Sequence, residues 1–133
     1  MPLAQAMDIG PDTVNQYRAL VRDARTLLWN GPMGAIDTPV VELDGQRRFP
    51  FEAGTAALLE ELVALTSAHS AEGALTLVLG GELGGFVHHK GLARYVSHVS
   101  PDSRSWLQYL SGRLSPPSLD YFSCRRARER RVL

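Results

Sequence analysis

Hydrophobic positions along the chain switch repeatedly between a helical spacing and short unbroken runs. Val14, Tyr17, Leu20, Val21 and Ala24 recur at three- and four-residue steps, which predicts a helix over Asp12–Ala24 opened by Gly10-Pro11-Asp12. Thr26-Leu27-Leu28-Trp29 is a continuous apolar run, as expected of a strand covered on both faces, and Asn30-Gly31-Pro32-Met33-Gly34 ends it. Thr38 to Pro50 reads as irregular, with Asp44-Gly45 as a turn tip. Ala57, Leu58, Glu61, Leu62 and Leu65 form the stripe of a helix over Glu52–Ala68. A second buried strand, Ala74–Leu79, stops at Gly80-Gly81 and leads into a helix over Glu82–Lys90 closed by Gly91. Tyr95–Val99 reads as a third strand and Ser103–Leu110 as a last helix before Gly112. Residues 115–122 are expected to run extended.

Strands alternating with helices predict βαβ units, hence an α/β fold with a parallel, layered sheet and right-handed connections. Three strands make a small sheet, and an open edge is a pairing hazard that a protein partner would cover. Ligands in such sheets sit beyond the carboxyl ends of the strands. Here that places three loops together: Asn30–Asp37, Gly80–Gly85 and Ser100–Ser105. Glycines let backbone approach phosphates there, and a following helix offers free N–H groups, although the same glycines also serve plain turn geometry.

Charge alters this picture at one end only. The chain carries 14 basic and 14 acidic side chains, yet Arg125, Arg126, Arg128, Arg130 and Arg131 crowd its last eleven residues against Glu129 alone. The preceding body is therefore mildly acidic and lacks the basic footprint that nucleic-acid binding needs. Residues 1–122 read as one domain and 123–133 as a basic, mobile tail. The single cysteine, Cys124, excludes an internal disulfide and fits a reducing, cytoplasmic setting. No apolar run is long enough to span a bilayer, and no secretory signal opens the chain. His88 and His89 are adjacent, so on a helix they point apart and do not form a metal pair.

Several stretches resemble the phosphoglycerate kinase family. Asp8-Ile9-Gly10-Pro11 followed by Trp29-Asn30-Gly31-Pro32-Met33-Gly34 is similar to its DIGP…WNGPMG pattern. Glu52-Ala53-Gly54-Thr55 resembles its KGT or AGT segment, Leu79-Gly80-Gly81-Glu82 its GGGDT, and Ser97-His98-Val99-Ser100 its SHVS. The resemblance implies a Rossmann-like half-domain, like part of that family's C-terminal, nucleotide-side domain. It also implies the glycolytic transfer of a phosphoryl group between 1,3-bisphosphoglycerate and Mg-ADP. On that basis Asn30, Gly31, Pro32, Met33 and Gly34 would border a nucleotide. Asp37 would stand in for a ribose-contacting Glu, and Gly80, Gly81 and Glu82 would lie beside the phosphates, with Glu82 on the Mg²⁺ side of Mg-ADP or Mg-ATP. The family's STGGGA loop, whose glycine amides receive the transferred group, is replaced here by Ser100-Pro101-Asp102-Ser103-Arg104-Ser105. The glycines give way to Asp102, Ser103 and Arg104, and Pro101 has no N–H. Ser100 is expected to cap the following helix instead. No catalytic residue is then expected, and the chain reads as an inactive fragment or paralogue acting as an interaction module, or as the nucleotide-binding part of a split kinase.

Overall fold

The computed structural model describes residues 5–37, 41–43, 46–68 and 74–112. Helix α1 (Pro11–Arg22) begins with Pro at its first position, where the absent N–H costs nothing, and Asp12 complements the dipole of the first turn. Strand β1 (Thr26–Asn30) follows, then an antiparallel hairpin of β2 (Val41–Leu43) and β3 (Gln46–Arg48), in which Val41 pairs with Arg48. Next come α2 (Ala53–Ala68), β4 (Leu75–Leu79), α3 (Gly81–His89), a 3-10 turn (Ala93–Tyr95), β5 (His98–Ser100) and α4 (Arg104–Leu110). The chain divides into two compact units between Pro101 and Asp102. In the first, β1, β4 and β5 form a parallel sheet in that order, with Trp29 opposite Val78 and Val78 opposite Val99.

Because the strand order advances in one direction, right-handed crossovers put α2 and α3 on the same face of the sheet. The side chains agree. Trp29, Val78 and Val99 share that face with Leu58, Leu59 and Leu62 of α2 and Leu83, Phe86 and Val87 of α3. Gly84 of α3 leaves only 3.2 Å between a Cβ in its place and Val99, so the helix lies close to β5. Beneath this core a hydroxyl chain joins Thr66, Thr76 and Ser97, at 2.9 and 3.2 Å. Helix α1 packs beside α2 through Arg18 and Arg22, which pair with Glu61, while Arg18 also approaches Glu60 at 3.7 Å. The Arg22 hydrogen bond to Glu61 holds that carboxyl below its ordinary range.

The parallel α/β class read from the sequence is the one found, and four details differ. The stretch from Thr38 to Pro50 holds the β2–β3 hairpin rather than irregular chain alone, while residues 44–45 lie outside the described set. The third strand begins at His98, not Tyr95, because the chain first closes a 3-10 turn with Tyr95 N–H on the Leu92 carbonyl at 2.9 Å. Ser97 is then held by reciprocal bonds with Thr76: its N–H donates to Thr76 Oγ1 at 3.0 Å and its Oγ accepts from Thr76 N–H at 3.1 Å. The stripe expected on α2 is wider than drawn, since Thr55 and Leu59 are also buried while Glu61 is only half-buried. The fourth difference, at α4, concerns the cap and is taken up with the site. Residues 113–133, including the basic tail and Cys124, lie outside the described residues.

Leu59, 1% exposed, lies in the core cluster shared by α2, α3 and the sheet. Leu59→Ala is expected to cost about 2–5 kcal/mol of stability, measured by urea unfolding.

Candidate nucleotide-side site

The carboxyl ends of the three strands are stitched side by side. Gly31 N–H donates to the Leu79 carbonyl at 3.3 Å, and Gly80 N–H to the Ser100 carbonyl at 2.9 Å. The loops after β1 and β4 therefore share one edge of the sheet, as expected for a ligand site of this class.

The loop after β1 uses its own backbone donors internally. Gly31 sits at φ +82°, a conformation that favours glycine. Pro32 has no N–H to offer. Thr55 Oγ1 accepts from Met33 N–H at 3.0 Å and from Gly34 N–H at 3.4 Å. Ala35 N–H donates to the Met7 carbonyl at 2.8 Å, and Ile36 N–H to the Gly34 carbonyl at 2.9 Å. Asn30 and Asp37 are exposed, whereas Gly34 and Ile36 are buried. What Asn30–Gly34 offers a ligand is the Asn30 side chain and the half-buried surfaces of Pro32 and Met33, not an amide cradle.

Asp8 holds this arrangement together from far away in sequence. Its Oδ1 accepts from Ile9 N–H at 2.8 Å and its Oδ2 from Gly54 N–H at 2.9 Å, in the first turn of α2. A distant carboxylate thus caps α2, where the helix dipole favours negative charge. The approach is close enough to demand glycine. A Cβ at Gly34 would fall 2.6 Å from Asp8 Cγ, and one at Gly54 would fall 2.5 Å from Asp8 Oδ1. The sequence marked these residues as motif without assigning them this work; the signal present was two glycines with no turn to explain both. On the far side of the same helix start, Glu52 Oε1 accepts from Lys90 Nζ at 2.9 Å, tying α2 to the end of α3.

The loop after β4 differs. Gly80, at φ +102°, precedes α3 and supplies no side-chain cap. The first-turn amides of α3 have no acceptor within the helix by its geometry, and a Cβ at Gly81 would meet nothing nearer than the Pro101 carbonyl at 3.9 Å. Gly81 and Glu82 are exposed there. Leu83, where the resemblance would have a hydroxyl, is fully buried in the core. This helix start can receive an anion, with the Glu82 carboxylate beside it as the group able to face a cation. His88 and His89 lie at the other end of α3, and the described residues hold no cluster of three or more His, Cys, Asp or Glu able to bind a metal.

In the second unit, α4 is capped by Asp102, not by the expected Ser100. Asp102 Oδ1 accepts from Ser105 N–H at 3.2 Å, while Ser103, the residue before the helix, makes no side-chain cap bond. Pro101 lies outside α4. Hydrogen bonds from Ser105, joined by Arg104, hold the Asp102 carboxyl below its ordinary range.

The phosphoglycerate kinase family model matches residues 2–113. This chain belongs to the phosphoglycerate kinase family. It is 43% identical over 112 residues to the phosphoglycerate kinase of Chloroflexus aggregans, a match covering 84% of this chain and 24% of that one. It is 34% identical over 110 residues to the chloroplastic phosphoglycerate kinase of Volvox carteri, covering 83% and 21%. The structure of phosphoglycerate kinase from Coxiella burnetii superposes with a TM-score of 0.64 at 28% identity, covering 83% of this chain and 24% of that one. The chain thus spans about a quarter of the length of the phosphoglycerate kinases it matches. Among the described residues no helix is long and apolar enough to cross a membrane.

Three expectations follow. Asp8→Ala removes the acceptor for two backbone donors and should cost about 1–3 kcal/mol in urea unfolding, and Gly34→Ala should also destabilise because its methyl has no room. The Asp102 cap, whose carboxyl is depressed when folded, contributes fully above the ordinary carboxyl range near about 4 and is lost as pH falls through the lower folded value. The Ser105 amide shift should accordingly titrate with a midpoint below that range, and Asp102→Asn should abolish the titration.

Proposed function

We propose that this chain is a nucleotide-side segment of the phosphoglycerate kinase family that does not transfer phosphoryl groups by itself and serves as a protein-interaction module. The observation that carries this reading is the Asp102 cap. In the loop where the resemblance expects glycine amides to receive the phosphoryl group, a carboxylate of the chain itself accepts the Ser105 N–H, and Pro101 has no N–H at all. Phosphoryl transfer depends on donors positioned around developing negative charge, and a fixed carboxylate opposes that charge. The cytoplasm as its place of work belongs to the same proposal and rests on the lone cysteine.

A second reading, retained Mg-nucleotide binding, is favoured by the start of α3. Its uncapped first turn at Gly81 and the open space there fit a phosphate, and Glu82 stands where it could face the Mg²⁺. A bound Mg-nucleotide would supply the phosphoryl acceptor or donor of the family reaction. The loop after β1 fits only as a border, because its amides are internally satisfied.

With Mg-ADP and 1,3-bisphosphoglycerate, the chain alone is expected to show no turnover above buffer, and turnover would overturn the main reading. Calorimetric titration of Mg-ADP decides the second. Saturable binding weakened by Glu82→Ala supports the α3 site, whereas unchanged affinity in that variant removes Glu82 from the metal side.

A further inference from the structure

We infer that Thr55 is a positioning residue for nucleotide: its buried hydroxyl sets, before any ligand arrives, the loop surface against which the nucleoside end of a Mg-nucleotide rests. The inference rests on the nucleotide-binding reading and deepens it by naming what shapes the site.

The two ends of the candidate site offer different chemistry. At the start of α3 the first-turn amides have no acceptor within the helix and the space over Gly81 is open, which suits phosphate. The loop after β1 has no such donors to offer. Met33 and Gly34 give theirs to Thr55 Oγ1, at 3.0 and 3.4 Å, and Pro32 has none. What the loop presents instead is the exposed Asn30 side chain and the half-buried Pro32 and Met33. One side-chain amide beside apolar surface suits a base or a sugar rather than a polyphosphate. The two ends adjoin, because Gly31 N–H reaches the carbonyl of Leu79, the residue before Gly80.

Affinity from such a surface depends on its being in place beforehand, since ordering a loop on binding subtracts from it. Between Asn30 and Gly34 two kinds of bond hold the path. The bond from Gly31 to Leu79 joins backbone to backbone and is indifferent to side chains. The bonds from Met33 and Gly34 depend on a single hydroxyl oxygen, whose two lone pairs match the two donors. Thr55 is 0% exposed, so it cannot touch a ligand and acts only through the loop. Its own place is fixed from the other side, because Asp8 Oδ2 accepts from Gly54 N–H, one residue earlier in α2, at 2.9 Å. The Met33 side chain packs partly against the core, so a shift of its backbone moves a surface that the ligand would meet. A residue that only stabilised the fold would not distinguish the two ends of a nucleotide. Thr55 holds one of them.

The test uses the whole chain with Mg-ADP and, as a probe lacking the nucleoside, inorganic pyrophosphate, followed by calorimetry and amide NMR. Thr55→Val keeps the shape and removes the acceptor, whereas Thr55→Ser keeps the acceptor. Thr55→Val is expected to weaken Mg-ADP binding at least about tenfold. Pyrophosphate binding, read at the Gly81 and Glu82 amides, is expected to stay unchanged in that variant. Thr55→Ser is expected to bind both ligands as the unsubstituted chain does. Equal weakening of both ligands, or Mg-ADP binding unchanged in Thr55→Val, overturns the inference and leaves the nucleotide reading standing. A chain that binds no Mg-ADP removes the nucleotide reading and the inference with it. Hydrogen exchange in the unsubstituted chain decides the matter where Thr55→Val does not fold: the Met33 and Gly34 amides are expected to be protected before ligand is added. Free exchange there until Mg-ADP binds would mean that the ligand, not Thr55, orders the loop, and overturns the inference.

Discussion

The fold of the first unit depends on the junction where Asp8, Gly34, Gly54 and Thr55 meet. One carboxylate and one hydroxyl accept four backbone hydrogen bonds there, Asp8 from Ile9 and Gly54 and Thr55 from Met33 and Gly34. The hydroxyl fixes the loop after β1, and the carboxylate holds the start of α2. The segment before α1 thereby joins the same body. The loop could not follow this path with any residue larger than glycine at 34, because the Phe51 carbonyl and, next to it, Asp8 fill the space that a Cβ would take. Buried backbone donors need acceptors, and here two side chains meet that need for three separate segments.

That junction divides the residues that look like a binding motif into two kinds. Gly34, Gly54 and Thr55 serve the packing of loop against helix. Gly80 and Gly81 do not, since nothing presses on Gly81 and the helix that follows lacks a side-chain cap. Two glycine-rich turns of similar appearance therefore have different physical reasons to be glycine-rich. Only the second leaves donors facing outward at the carboxyl end of the sheet.

Much of the fold was legible in the sequence because periodicity reports burial. The apolar runs at β1 and β4, the spacing along α2 and the glycines after β4 all correspond to elements found at or within a residue or two of the expected bounds. The β2–β3 hairpin was not legible, since its strands are three residues each and carry no alternation long enough to read. The start of β5 was missed because Ser97 satisfies its bonds through Thr76, a contact that no local pattern encodes. At the site the sequence suggested Ser100 as the cap of α4, and the hydrogen bond from Ser105 N–H gives that work to Asp102. Asp8 reaches Gly54 across 46 positions, and a single sequence carries no trace of that distance beyond two otherwise unexplained glycines.

The strand order has a kinetic consequence. Each strand of the parallel sheet lies next to the one that follows it in that sheet, across the β2–β3 hairpin and α2 in the first connection and across α3 and the 3-10 turn in the second. Pairing Thr26 with Leu75 closes a loop of 49 positions, and parallel pairing over such a span slows folding. Seating Asp8 on Gly54 closes a span of similar length, 46 positions. A nascent polypeptide could thus have β1, α2 and β4 assembled before its last helix has been made.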